Sequence, residues 1–157
     1  MKPQAQPALP VVPAADLDEP HQAGRWLIES LFPRSGVGII GGAPKCGKSW
    51  LALDLAVSVS SGTPCLNTFT VAASGSVLVY MAEDAGSVVK QRLAGICSHR
   101  GLDLVALPIG VITAPSLRLD LPRDQARLHE TVRRHAPRLL VLDPFVRLHT
   151  IDENVAA

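Results

Sequence analysis

The sequence predicts an α/β protein with a mostly parallel sheet, and three observations carry that prediction. Apolar runs rich in Val, Ile and Leu alternate with helical stretches along the chain. The runs are continuous where a half-exposed strand would alternate, which marks strands covered on both faces. Their order, strand and helix in turn from one strand to the fourth, gives parallel neighbours joined by right-handed crossovers. A chain of 157 residues has room for one domain, and a domain of that size buries roughly 70% of the surface its unfolded form exposes.

The elements follow in order. Residues 1–24 hold Pro3, Pro7, Pro10, Pro13 and Pro20 among Ala, Gln and acidic residues. That mixture favours extended conformers with little to bury, so a disordered Pro-rich leader is expected before a structured part at 25–157. Trp26-Leu27-Ile28 and Leu31-Phe32-Pro33 read as a short amphipathic piece on the edge of the domain. Val37 to Gly41 is the first buried strand. Lys48 to Ser60 is apolar nearly all round, with Asp54, Ser58 and Ser61 as a narrow polar stripe, as for a helix wedged against a sheet. Ser76 to Ala82 is the second buried strand, and Ser87 to His99 is an amphipathic helix. The run from Leu104 to Ile112 contains Pro108, which cannot donate to a ladder, so its strand is short or peripheral. Pro122 to His135 is a surface helix: Pro122 suits the first turn, and Arg133, Arg134 and His135 suit the negative C-terminus. Leu139 to Asp143 is the last strand.

Composition narrows the function classes. Hydrophobic residues at 47% and charged residues at only 18% suit a buried, sheet-rich interior. A net charge of +1 excludes a chain whose overall field would draw nucleic acid or an acidic membrane, so a DNA partner needs a local patch. Apolar stretches break well before the roughly 20 residues of a membrane span, and no signal pattern opens the chain; a cytoplasmic protein with no membrane partner is expected. Cys46, Cys65 and Cys97 are odd in number and lack metal-like spacing, so reduced thiols are expected.

Directly after the first expected strand comes Gly42-Ala43-Pro44-Lys45-Cys46-Gly47-Lys48-Ser49, a full match to Gly, four residues, Gly-Lys-Ser/Thr. Its glycines let the backbone turn sharply, so that successive N–H groups form an anion nest at the positive end of the following helix. In that chemistry Lys48 reaches the β and γ phosphates and the Ser49 hydroxyl ligates Mg²⁺. Gly36-Val37-Gly38-Ile39-Ile40-Gly41 also spells the dinucleotide-binding pattern, but its glycines lie before and within the strand instead of after it, so that reading is rejected.

A phosphate loop binds; hydrolysis also needs carboxylates, one beside the metal and one to orient water. The apolar run Leu139-Leu140-Val141-Leu142 closes on Asp143, the pattern of a Walker B strand, so Asp143 is the metal-side candidate. The second strand ends in Glu83-Asp84. Glu83 is the candidate base and Asp84 the reserve; the bland alternative is that both cap the next helix. Arg147-Leu148-His149 follows, where a phosphate-sensing or subunit-interface role stands against a plain turn. Arg123, Arg127 and Arg134 form a basic helix face, but Asp124 and Glu130 interrupt it, and a solvated face is favoured over DNA contact.

From Arg25 to Asn154 the chain resembles the RecA-like ATPases related to the plasmid-encoded hexameric replication helicase RepA, a group labelled AAA family ATPases. The pieces that carry the resemblance are Arg25-Trp26-Leu27-Ile28, Gly41 through Ala52, Val79-Tyr80-Met81-Ala82-Glu83-Asp84, Arg92-Leu93, Leu142-Asp143-Pro144 and Asp152-Glu153-Asn154. The resemblance implies a RecA-like αβα sandwich, ATP and Mg²⁺ as cofactors, and ATP hydrolysis with Glu83 activating water. It implies a nucleotide-binding set of Gly42 to Ser49 with the adjoining Trp50, a homo-oligomeric ring, and a DNA-replication role. The pattern continues beyond Asp-Glu-Asn with a helix and a strand that would lie inside the sheet, so the fold is expected to be incomplete at the C-terminus and the chain alone marginally stable and weakly active. The alternatives are a nucleotide-binding module with little turnover and, disfavoured for want of an acceptor pocket or Arg-rich lid, a phosphate-loop kinase for a small substrate.

Overall fold

In a computed structural model of the protein, residues 11–16 and 24–150 are described. Most of the expected leader lies outside the described residues, as does the Asp152-Glu153-Asn154 piece; within the leader, Ala14–Asp16 form one exposed 3-10 turn. The amphipathic piece is a small hairpin of β1 (Trp26–Ile28) and β2 (Phe32–Pro33), paired antiparallel. Leu27 and Ile28 are buried, and Leu27 O accepts from Ala72 N at 3.0 Å, which ties the hairpin to the loop after the first helix.

The central sheet has three parallel strands in the order β4 (Ile109–Val111), β3 (Val77–Met81), β5 (Leu139–Asp143). β3 is buried at all five positions because it has a neighbour on each edge and cover on each face. Its side chains alternate between two cores. Val77, Val79 and Met81 join Leu139, Leu53, Val57, Val89 and Leu93 on one face. Tyr80 turns to the other, against Leu117, Leu148, Leu142 and Leu128. In the first group Leu53 and Val57 come from α1 (Lys48–Ser61), Val89 and Leu93 from α2 (Gly86–His99) and Leu139 from β5, while in the second Leu128 comes from α3 (Pro122–His135). The architecture is therefore a parallel sheet between helices, the α/β fold of a RecA-like P-loop NTPase. Among the described residues no helix is long and apolar enough to cross a membrane.

The expected strand at Val37 to Gly41 is not formed. Residues 36–42 are irregular, with Val37 99% and Ile39 79% exposed. A strand exists only with a hydrogen-bonding neighbour. Among the described residues β5 is bonded on one edge alone, to β3, and nothing pairs with 37–41. The β-rich composition of that run is real, but composition cannot supply a partner. Elsewhere the boundaries agree to within a residue, and Pro108 limits the fourth run to a 3-10 turn at Leu104–Ala106 followed by the short β4.

The polar stripe of α1 proves to be a buried clamp. Arg100, just past the end of α2, donates through Nη2 to Asp54 and through Nη1 to Ser58 Oγ at 2.8 Å and Thr63 Oγ1 at 3.0 Å. Asp54 also accepts from Leu66 N at 3.0 Å and from the Cys65 thiol. Burial, with the Asp54 carboxylate beside it, pushes the Cys65 thiol up to about 12, and burial raises Cys97 as well; Cys46 is exposed. On α3 the arginines are largely answered within the helix: Arg127 pairs with Asp124, and Arg133 and Arg134 both pair with Glu130 and hold its carboxyl below the ordinary range. That leaves a solvated face of mixed charge.

Candidate phosphate site at the sheet edge

Two glycines bound the loop from Gly42 to Gly47. Gly47, immediately before α1, has φ 91, a left-handed conformation that L residues adopt at a cost of about 1–2 kcal/mol. A Cβ on Gly42 would lie 2.9 Å from Sγ of the exposed Cys46, which would have to turn aside. Ala43, Pro44, Lys45 and Cys46 line its exposed outer turn, with Cys46 N donating to Ala43 O at 3.4 Å. The helix ladder begins with Leu51 N to Gly47 O at 3.0 Å, so the N–H groups of the first turn have no acceptor within the helix. Those donors and the helix dipole make the end of α1 electropositive. Lys48 folds its ammonium across the loop, donating to Gly42 O at 2.9 Å and Ala43 O at 2.8 Å.

Ser49, one residue on, reaches across the fold. Its hydroxyl donates to Asp143 Oδ2 at 2.7 Å, joining the start of α1 to the end of β5 across 94 residues of sequence. The two oxygens are half-buried and hard, the donor type Mg²⁺ takes when phosphates and water fill its other positions, so this pair fits that ion.

The parallel register sets the next carboxylates. Met81 pairs with Asp143, and Ala82 N donates to Asp143 O at 2.7 Å, so Glu83 and Asp84 emerge at the same edge of the sheet as Asp143. Their environments differ. Asp84 is clamped by Arg92 of α2 at 2.5 Å, whereas Glu83 is paired with the exposed Arg147, whose Nε is 3.0 Å from Glu83 Oε1. Trp50 faces α2, its ring 5.8 Å from the Arg92 guanidinium. Sequence reasoning gave Arg92 no separate role, yet it links Asp84 to Trp50 and so the strap after β3 to α1. Arg118 was also missed: it caps the carbonyls of Arg147 and His149, and nothing local in its sequence marks it.

The structure thus brings Lys48, Ser49, Asp143 and Glu83 to one end of the sheet, where helix N-terminus, loop amides and carboxylates suit a phosphorylated ligand with a divalent cation. A family model described as an AAA domain matches residues 2–157 of the chain. Neither a curated protein nor a solved structure matches it.

Proposed function

The chain belongs to the AAA domain family of P-loop ATPases, and we propose that it binds ATP with Mg²⁺ on Gly42 to Ser49 and hydrolyses it in a RepA-type role in DNA replication. The observation that supports this reading most is the 2.7 Å hydrogen bond from Ser49 to Asp143, because it joins the phosphate loop to the acidic strand end. Mg²⁺, when bound, neutralises phosphate charge. The loop amides and Lys48 orient the triphosphate; Lys48 exchanges the carbonyls of Gly42 and Ala43 for phosphate oxygens, which form stronger charge-assisted bonds. Ser49 and Asp143 hold the metal side. Glu83 accepts a proton from the attacking water, and Asp84, held by Arg92, keeps the strap in place.

Residues 25–157 carry this activity in our reading, with 1–24 as a leader, a homo-oligomeric ring as the assembly and DNA as the polymer acted on. The pairing of Arg127, Arg133 and Arg134 with carboxylates of their own helix supports a DNA contact on a face other than that of α3. The second reading, a module that holds ATP with little turnover, is favoured by the Glu83–Arg147 pair, which occupies the base. The two separate on adding single-stranded DNA to an ATPase assay of the chain: turnover should rise, whereas binding without turnover at any DNA concentration would contradict the replicative role and favour the module.

A further inference from the structure

The β1–β2 hairpin carries a charge arrangement that its own packing does not explain. Arg34 N donates to Arg25 O at 2.8 Å, continuing the Trp26–Pro33 register, so two arginines stand opposite each other at its open end. Like charges directly opposite on paired strands are destabilising. Both side chains are exposed, and among the described residues neither forms an ion pair; Glu29, at the hairpin's turn, answers neither. Arg25 instead lays its guanidinium over the half-buried Trp26, 5.4 Å from the ring centroid. Arg34 Nη1 reaches back to Gly24, 3.5 Å from where a Cβ on that residue would stand. Both basic side chains thus gather at the start of β1, where the indole also lies. The backbone beneath them is fixed: Leu27 and Ile28 are buried, Glu29 N donates to Thr70 O at 2.9 Å, and Ala72 N donates to Leu27 O at 3.0 Å. These anchors lie in the loop after α1, not in Gly42 to Ser49.

We propose that Arg25, Trp26 and Arg34 form a contact for single-stranded DNA, with the two guanidiniums on backbone phosphates and the indole stacking an unpaired base. This rests on the DNA role proposed above and gives it a place on the chain. A guanidinium matches phosphate with two parallel, charge-assisted donors, so each arginine gains a partner and their mutual repulsion is neutralised in the same event. The exposed contact between Arg25 and the Trp26 ring is weak by comparison. Arg25 therefore leaves the ring for a phosphate, and a base takes the face it vacates. Only a single strand offers that base, because a duplex keeps its bases paired and stacked inside. With a net charge of +1 the chain has no general pull on DNA, and the α3 arginines are answered by Asp124 and Glu130, so a local unpaired group such as this one has to supply the attraction.

The test is fluorescence anisotropy of a labelled oligothymidine, and of a duplex of the same length, titrated with the full chain at several salt concentrations. Arg25→Gln combined with Arg34→Gln should weaken single-strand binding by about tenfold and reduce the salt slope by about 1.4, two phosphates at about 0.7 each. The thermal midpoint of that variant should hold or rise, because a repulsion is removed; a merely structural pair would lower it. Trp26→Ala should weaken single-strand binding by about five- to a hundredfold, and Trp26→Phe, which keeps a ring and the hairpin's packing, should recover part of the loss. Unchanged affinity and salt slope in the double arginine variant overturn the proposal, as does a duplex bound as tightly as the single strand. If the wild-type chain binds no single strand, the replication role falls and this contact with it. If it binds and all three positions are without effect, only the contact falls.

Discussion

Replacing Glu83 with Gln is expected to lower steady ATP turnover by about 10²–10⁴-fold while nucleotide binding is kept. The amide has the size of the carboxylate and can still hydrogen-bond water, but it cannot take its proton. The expectation follows from placement: Glu83 lies one residue beyond the Ala82 amide that bonds to Asp143, at the sheet edge that also holds Ser49. Asp84→Asn should act differently, because Asp84 is committed to Arg92 on α2 and its loss loosens the strap. Phosphate release measured for both variants decides between them. Turnover of Glu83→Gln within a few-fold of wild type would remove the role assigned to it, and an equal loss in both variants would mean that the strap as a whole, not one carboxylate, sets the rate.

The largest effect on stability is expected at the clamp between helices α1 and α2. Asp54→Ala removes the partner of Arg100, whose side chain is only 8% exposed, and leaves a buried guanidinium to be desolvated without its counter-charge. Breaking such a pair from one side costs about 3–5 kcal/mol. The Leu66 amide and the Cys65 thiol lose their acceptor in the same step. Urea unfolding should show the loss as a lower midpoint. Asp54→Leu combined with Arg100→Met removes both charges and should recover much of it, since an apolar pair of similar bulk needs no counter-ion. A double variant as unstable as Asp54→Ala would mean that the hydrogen bonds to Leu66 and the Ser58–Thr63 side of the clamp matter more than the charges.

What could be read in advance divides by range. The bounds of α3 agree with the sequence reading because Pro122 and the basic C-terminal turn are local signals, and β5 agrees because its apolar run ends at Asp143. The turn into α1 is equally local: Gly47 has the left-handed φ of 91 that favours glycine. The Val37 to Gly41 run failed as a strand for the opposite reason, since strand formation there depends on a neighbour the run does not contain. Asp54 illustrates a milder version. Its place on a polar stripe was legible, but Arg100, 46 residues away, turned that stripe from a solvated edge into a buried clamp. The choice between Glu83 and Asp84 was likewise open in the sequence; each carboxylate has an arginine partner, Arg92 for Asp84 and Arg147 for Glu83, and the Asp84 pair is the more buried of the two.

The central claim is that the loop, Lys48 and the Ser49–Asp143 pair form one site for ATP with Mg²⁺. Titrating the chain with ATP, with Mg²⁺ and with the ion chelated, tests it most directly when wild type, Lys48→Ala and Asp143→Asn are compared. Saturable wild-type binding that Mg²⁺ strengthens, with that strengthening lost in Asp143→Asn and binding itself lost in Lys48→Ala, is the result expected. Binding that ignores Mg²⁺, or that Lys48→Ala leaves as tight as in the wild type, would contradict it.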